Sequence, residues 1–78
     1  MNKGYKLDIH SMAENDAYCA LLGFLNDLPQ GIKKAVIVHG YHGGTVLKEM
    51  VKNFVHWRID YVMQPLYNQG ESVIYFKE

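Results

Sequence analysis

The chain has 78 residues, 49% of them apolar, with eight lysines and arginines against eight aspartates and glutamates and a formal net charge of zero. That length supports one hydrophobic core and one domain, residues 1–78, and no run approaches the roughly 18 uninterrupted apolar residues of a membrane-spanning helix. Balanced charge excludes the broad basic field by which many nucleic-acid binders attract phosphate, so polyanion contact falls to local patches such as Lys33 and Lys34.

The opening MNKGYKLDIH has no apolar stretch of the kind a secretory signal needs. The lone Cys19 cannot form an internal disulfide and reads as a small buried side chain of a helix. Together these lead to the expectation of a cytoplasmic protein in a reducing compartment, with no membrane partner. Residues 5–10 alternate apolar Tyr5, Leu7 and Ile9 with polar Lys6, Asp8 and His10, the period of a strand with one buried face. Asp8 and His10 then share the polar face. Ser11 and Glu14 are spaced as a capping box that opens a helix to about residue 26 or 27, with Ala17, Ala20, Leu21, Phe24 and Leu28 as its apolar stripe. Pro29 and Gly31 end it.

The run KAVIV is short, β-branched and apolar, which describes a central strand covered on both faces. In TVLKEMVKNFV, Val46, Leu47, Met50, Val51, Phe54 and Val55 recur at helical spacing, with Thr45 placed as N-cap. A third strand at 59–64 is broken by Pro65, and the turn NQGE leads into SVIYF, antiparallel to its neighbour. The element order β-α-β-α-β-β is that of an α/β two-layer sandwich: a mixed four-stranded sheet with both helices on one face and the other face open.

In open α/β sheets ligands bind beyond the carboxyl ends of the strands, where His10 and His39 both fall. Gly40, Gly43 and Gly44 suit a close backbone approach, and free N–H groups before the second helix suit an anion. The alternatives are bland: a histidine can bond a loop carbonyl, and glycines can serve only a tight turn. His39 and His42 are also spaced to permit a metal pair with Asp8 or His10, although no cysteine accompanies them. Tyr41 offers a stacking surface inside the loop, while Tyr61 and Tyr75 read as core or sheet-face residues.

The segments LDIH at 7–10 and VIVHGYHGGTVLKEMV at 36–51 resemble the two signatures of the small MutS-related (Smr) domain, an L-D-x-H strand end followed by glycine and an H-G-x-G-x-G loop. The resemblance implies a fold similar to the C-terminal domain of translation initiation factor three. It also implies nucleic-acid binding and, as in several members, endonuclease activity on RNA or DNA. Carried over by motif, the site consists of Asp8, His10 and His39, with Gly40 and Gly44 in the loop. Tyr41, His42, Gly43, Thr45, Lys33 and Lys34 are its expected phosphate or nucleic-acid contacts. Ser11 and His42 stand where the signatures carry glycine.

On RNA, His10 is expected to act as base toward the 2′-hydroxyl, oriented by Asp8, with His39 as acid or phosphate contact. On DNA, water must attack, and a divalent ion such as Mg2+ held by Asp8 would assist. The alternative is a non-catalytic module recruited to structured RNA, branched DNA or a ribosome, which the neutral charge favours. A third reading is a small-molecule phosphate or metal-site protein. The bare domain, without the ATPase or repeat modules of larger relatives, is expected to be a monomer or weak homodimer.

Overall fold

The computed structural model describes residues 5–40 and 45–78. Its elements are β1 (Tyr5–Asp8), α1 (Glu14–Asp27), β2 (Lys34–Val38), α2 (Val46–Lys52), β3 (Ile59–Met63) and β4 (Glu71–Phe76), in the order expected from the sequence. The sheet runs β1-β2-β4-β3, with β1 parallel to β2 and β4 antiparallel to both of its neighbours. β4 thus fills the space between β2 and β3, and β1 and β3 form the edges.

Register sorts the side chains onto two faces, because residues paired across a ladder point the same way. Leu7 pairs with Ile37, Ile37 with Ser72 and Ala35 with Ile74. Ile37, Ser72 and Ile74 are fully buried and share their face with Ile9, Phe76 and the apolar sides of the helices. On the opposite face, Lys6 pairs with Val36 and Asp8 with Val38. Val36 and Val38 are only half-buried. The KAVIV run is therefore not covered on both faces as its composition suggested; it is apolar because the strand is central in a sheet with one open face.

The helices follow their sequence stripes with local differences. Ala17, Leu21 and Leu25 are the buried positions of α1, flanked by half-buried Ala20 and Phe24. Cys19 is exposed rather than buried, since it lies two residues past Ala17 and off that stripe. α2 is shorter than its apolar repeat: Asn53 ends it, with its backbone N–H and side-chain Nδ2 both donating to the Glu49 carbonyl at 3.0 Å. Val55, expected on the stripe, is 90% exposed as a result. Thr45 occupies the N-cap position but makes no side-chain cap bond.

The C-terminus of α1 has no basic residue in its last turn. Arg58, thirty residues on, supplies the missing donors. Its guanidinium donates to the carbonyls of Leu25 at 2.9 Å, Leu28 at 2.6 Å and Pro29 at 2.7 Å. It also lies 5.6 Å from the Trp57 ring centre and 5.8 Å from that of Phe76. A rigid fork with several N–H groups suits three divergent carbonyls better than a single ammonium does. Beside it, His56 donates from Nε2 to Asn26 Oδ1 at 2.9 Å and accepts at Nδ1 from the Arg58 N–H at 3.2 Å. Burial, aided by the Arg58 charge, lowers the pKa of His56 and keeps it in this neutral form. Arg58→Ala is expected to lower unfolding free energy in urea by about 2–3 kcal/mol, with Arg58→Lys recovering less than half of the loss.

Candidate functional site

Parallel pairing brings the carboxyl ends of β1 and β2 to one edge of the sheet. The ladder continues one bond past β1, from the Ile9 N–H to the Val38 carbonyl at 2.8 Å, and then the chain turns. The Met12 N–H donates to the Ile9 carbonyl at 3.1 Å, which puts His10 and Ser11 at the two central positions of a β-turn. Ser11 has φ +69° and is the only non-glycine residue with positive φ among those described. A negative φ at the first central position and a positive one at the second define a type II turn, which favours glycine at the second. Ser11 is therefore not the N-cap of α1. Ala13 holds that position, and no side-chain cap bond forms.

The turn presents His10 to Asp8. One carboxylate oxygen, Asp8 Oδ1, accepts the His10 backbone N–H at 3.1 Å and lies 2.5 Å from His10 Nδ1. A carboxylate can only accept, so Nδ1 carries the proton. Nε2 has no hydrogen-bond partner among the described residues, and the imidazole is 59% exposed. The side-chain bond from His10, followed by its backbone bond, holds the Asp8 carboxyl below the ordinary carboxylate range, with a small contribution from the Lys6 charge. The pair is a charged acceptor orienting an imidazole that faces solvent.

His39 comes to the same sheet end on the other face. It is 4% exposed, and both ring nitrogens are engaged. Nδ1 donates to the Gly40 carbonyl at 2.9 Å, so in the neutral ring Nε2 accepts the Ser72 hydroxyl at 2.8 Å. The Ser72 oxygen in turn accepts from Gln64 Nε2. Gln64 Oε1 is buried with no partner among the described residues. Ser72 and Gln64 escaped the sequence reading; the available signal was one hydroxyl on the core face of an otherwise apolar strand. The Gly70 carbonyl accepts the N–H groups of both His39 and Gly40 at 2.9 Å, tying the loop start to the β3–β4 turn.

Gly40 links the two histidines. Its φ is +75°, and a Cβ there would stand 3.3 Å from His10 Cβ, so both backbone shape and the close approach favour glycine. Tyr41, His42, Gly43 and Gly44, expected as the phosphate cradle, lie outside the described residues, as does the His39–His42 metal pair. Lys33 and Lys34 stand at the opposite end of β2 from Asp8 and His10. Among the described residues no three His, Cys, Asp or Glu side chains converge on a metal position. Asp8 commits Oδ1 to His10, while its other carboxylate oxygen has no side-chain partner among the described residues.

A family model described as Smr domain matches residues 7–72. The chain belongs to the Smr domain family. No curated protein matches it. Membership carries a nucleic-acid-related function in general terms, as nuclease or as binding module. The Smr L-D-x-H signature ends in glycine, and the type II turn gives the physical reason: the position after His10 has positive φ. In this Smr domain Ser11 adopts that conformation at an energetic cost. No helix among the described residues is long and apolar enough to cross a membrane. Ser11→Gly is expected to raise unfolding free energy by about 0.5–1 kcal/mol, the relief of left-handed strain exceeding the added freedom of the unfolded chain. Urea denaturation measures it directly.

Proposed function

We propose that this Smr domain is an endonuclease acting on RNA, with Asp8 and His10 as its working pair. The supporting observation is the 2.5 Å contact between Asp8 Oδ1 and His10 Nδ1, which puts a proton on Nδ1, so that in the neutral ring Nε2 is an acceptor with no partner among the described residues. An oriented neutral imidazole is suited to removing a proton from a hydroxyl, and RNA carries one beside every phosphodiester. His10 Nε2 takes the proton of the 2′-hydroxyl, and that oxygen forms a bond to phosphorus. The bond from phosphorus to the 5′ oxygen breaks, and the departing oxygen takes a proton from water. The products carry a 2′,3′-cyclic phosphate and a 5′-hydroxyl.

Asp8 holds the imidazole and balances the positive charge that forms on it. His39 serves as an anchor in this reading. Its buried bonds to Gly40 and Ser72 fix the loop start against which His10 rests. The loop through Thr45 supplies phosphate contacts. A second reading, a module that binds nucleic acid without cleaving it, draws on the zero net charge, since each phosphate contact normally uses a lysine or arginine.

Cleavage of a labelled single-stranded RNA and its binding by anisotropy separate the two. His10→Ala is expected to slow cleavage by about 10²–10⁴-fold, and Asp8→Asn by a smaller factor, each with binding within about threefold of the unsubstituted protein. Equal cleavage by His10→Ala removes the proposed role. Binding without cleavage by the unsubstituted protein selects the second reading.

A further inference from the structure

The open face of the sheet carries three rows of side chains, given by the register. The first is Lys34, Tyr75 and Tyr61; the second is Lys6, Val36, Val73 and Met63; the third is Asp8, Val38 and Glu71. In the first row the tyrosine rings stack at 4.7 Å between centres and 11° between planes, and Lys34 Nζ lies 6.0 Å from the Tyr75 centre. Tyr75 is thus flanked on both sides. Tyr61 is 53% exposed on edge strand β3, and no further strand flanks its outer side.

We propose that this face carries the substrate strand, with one unpaired base stacked on Tyr61 as the next layer and the backbone running diagonally to Asp8 and His10. The proposal rests on the reading that Asp8 and His10 form the reactive end. A base offers the flat π surface that a half-exposed tyrosine accepts, and such stacking is tolerant of base identity. Lys34 and Lys6 lie on the same face. A recess of about 660 Å³ beside the tyrosines is lined by three lysines, Lys33, Lys34 and Lys77, against the side-chain carboxylates of Asp60 and Glu78. Lys33 and Lys34, distant from the reactive pair, thereby gain a place along the bound strand.

Geometry sets the length of that strand. Lys34 to Val38 spans four residues, about 13 Å at ~3.3 Å each, and Tyr61 lies three strands from Asp8, about 14 Å at ~4.8 Å each. The diagonal is roughly 19 Å, or about five to six nucleotides at the ~3.4 Å stacked spacing. A second copy of the chain suits the face less well. Val73, at its centre, is already 8% exposed and leaves little apolar area there for a partner to bury.

The probe is a fluorescein-labelled ten-nucleotide 2′-O-methyl RNA, which cannot be cleaved through the 2′ oxygen, used single-stranded and as a duplex. Tyr61→Thr, which keeps a β-branched strand residue, is expected to weaken single-strand binding about 5- to 100-fold, while Tyr61→Phe stays within twofold and the melting curves of both remain cooperative. Duplex binding is expected to be indifferent to Tyr61. Single-strand binding by Tyr61→Thr within twofold of the unsubstituted protein overturns the sheet-face path and leaves the Asp8–His10 reading standing. Sedimentation showing a dimer that Tyr61→Thr dissolves, with RNA affinity unchanged, assigns the face to a second copy. If the unsubstituted protein binds neither form, the underlying reading fails and this one with it.

Discussion

Parallel pairing of β1 with β2 is the constraint on which the rest of the molecule depends. Parallel neighbours require a crossover, and α1 is that crossover, covering one sheet face with Ala17, Leu21 and Leu25. It also delivers the carboxyl ends of both strands to one edge, so Asp8 and Gly40, far apart in sequence, flank the same histidine. The far end of the crossover needs its own closure. Arg58 provides it by gathering three carbonyls at the end of α1.

Two histidines reach that edge and meet opposite environments. His10 lies in a turn just past an edge strand, where its only described side-chain partner is a carboxylate and its second nitrogen faces solvent. His39 ends a central strand on the face beneath the helices, where a buried imidazole must satisfy both nitrogens. Ser72 and the Gly40 carbonyl do so. His10 therefore keeps one ring nitrogen free of contacts among the described residues, whereas His39 uses both of its nitrogens to hold the loop start against β4.

Much of the architecture is legible in the sequence because it depends on periodicity. All six elements, the parallel first pair and the antiparallel last pair follow from alternation, helical stripes and connection length. The Smr resemblance of LDIH and the histidine-glycine loop rests on local motifs, and the family match bears it out. Contacts formed across the fold are less legible. Nothing near the end of α1 announces Arg58, and the sequence does not say that Ser72 faces His39. Ser11 shows the reverse case, in which a strong local pattern loses. Its spacing to Glu14 fits a capping box, but the chain has to reverse direction after Ile9, and the turn takes the serine first. The insertion of β4 between β2 and β3 is a matter of sheet order, which periodicity does not encode.

In the proposed reaction an imidazole held by a carboxylate at a strand end works on a neighbouring hydroxyl. Mass spectrometry of the termini left after incubation with RNA tests that chemistry most directly. Fragments bearing 2′,3′-cyclic phosphate and 5′-hydroxyl ends are the predicted result. Fragments bearing 3′-hydroxyl and 5′-phosphate ends, which only attack by water can leave, would contradict it.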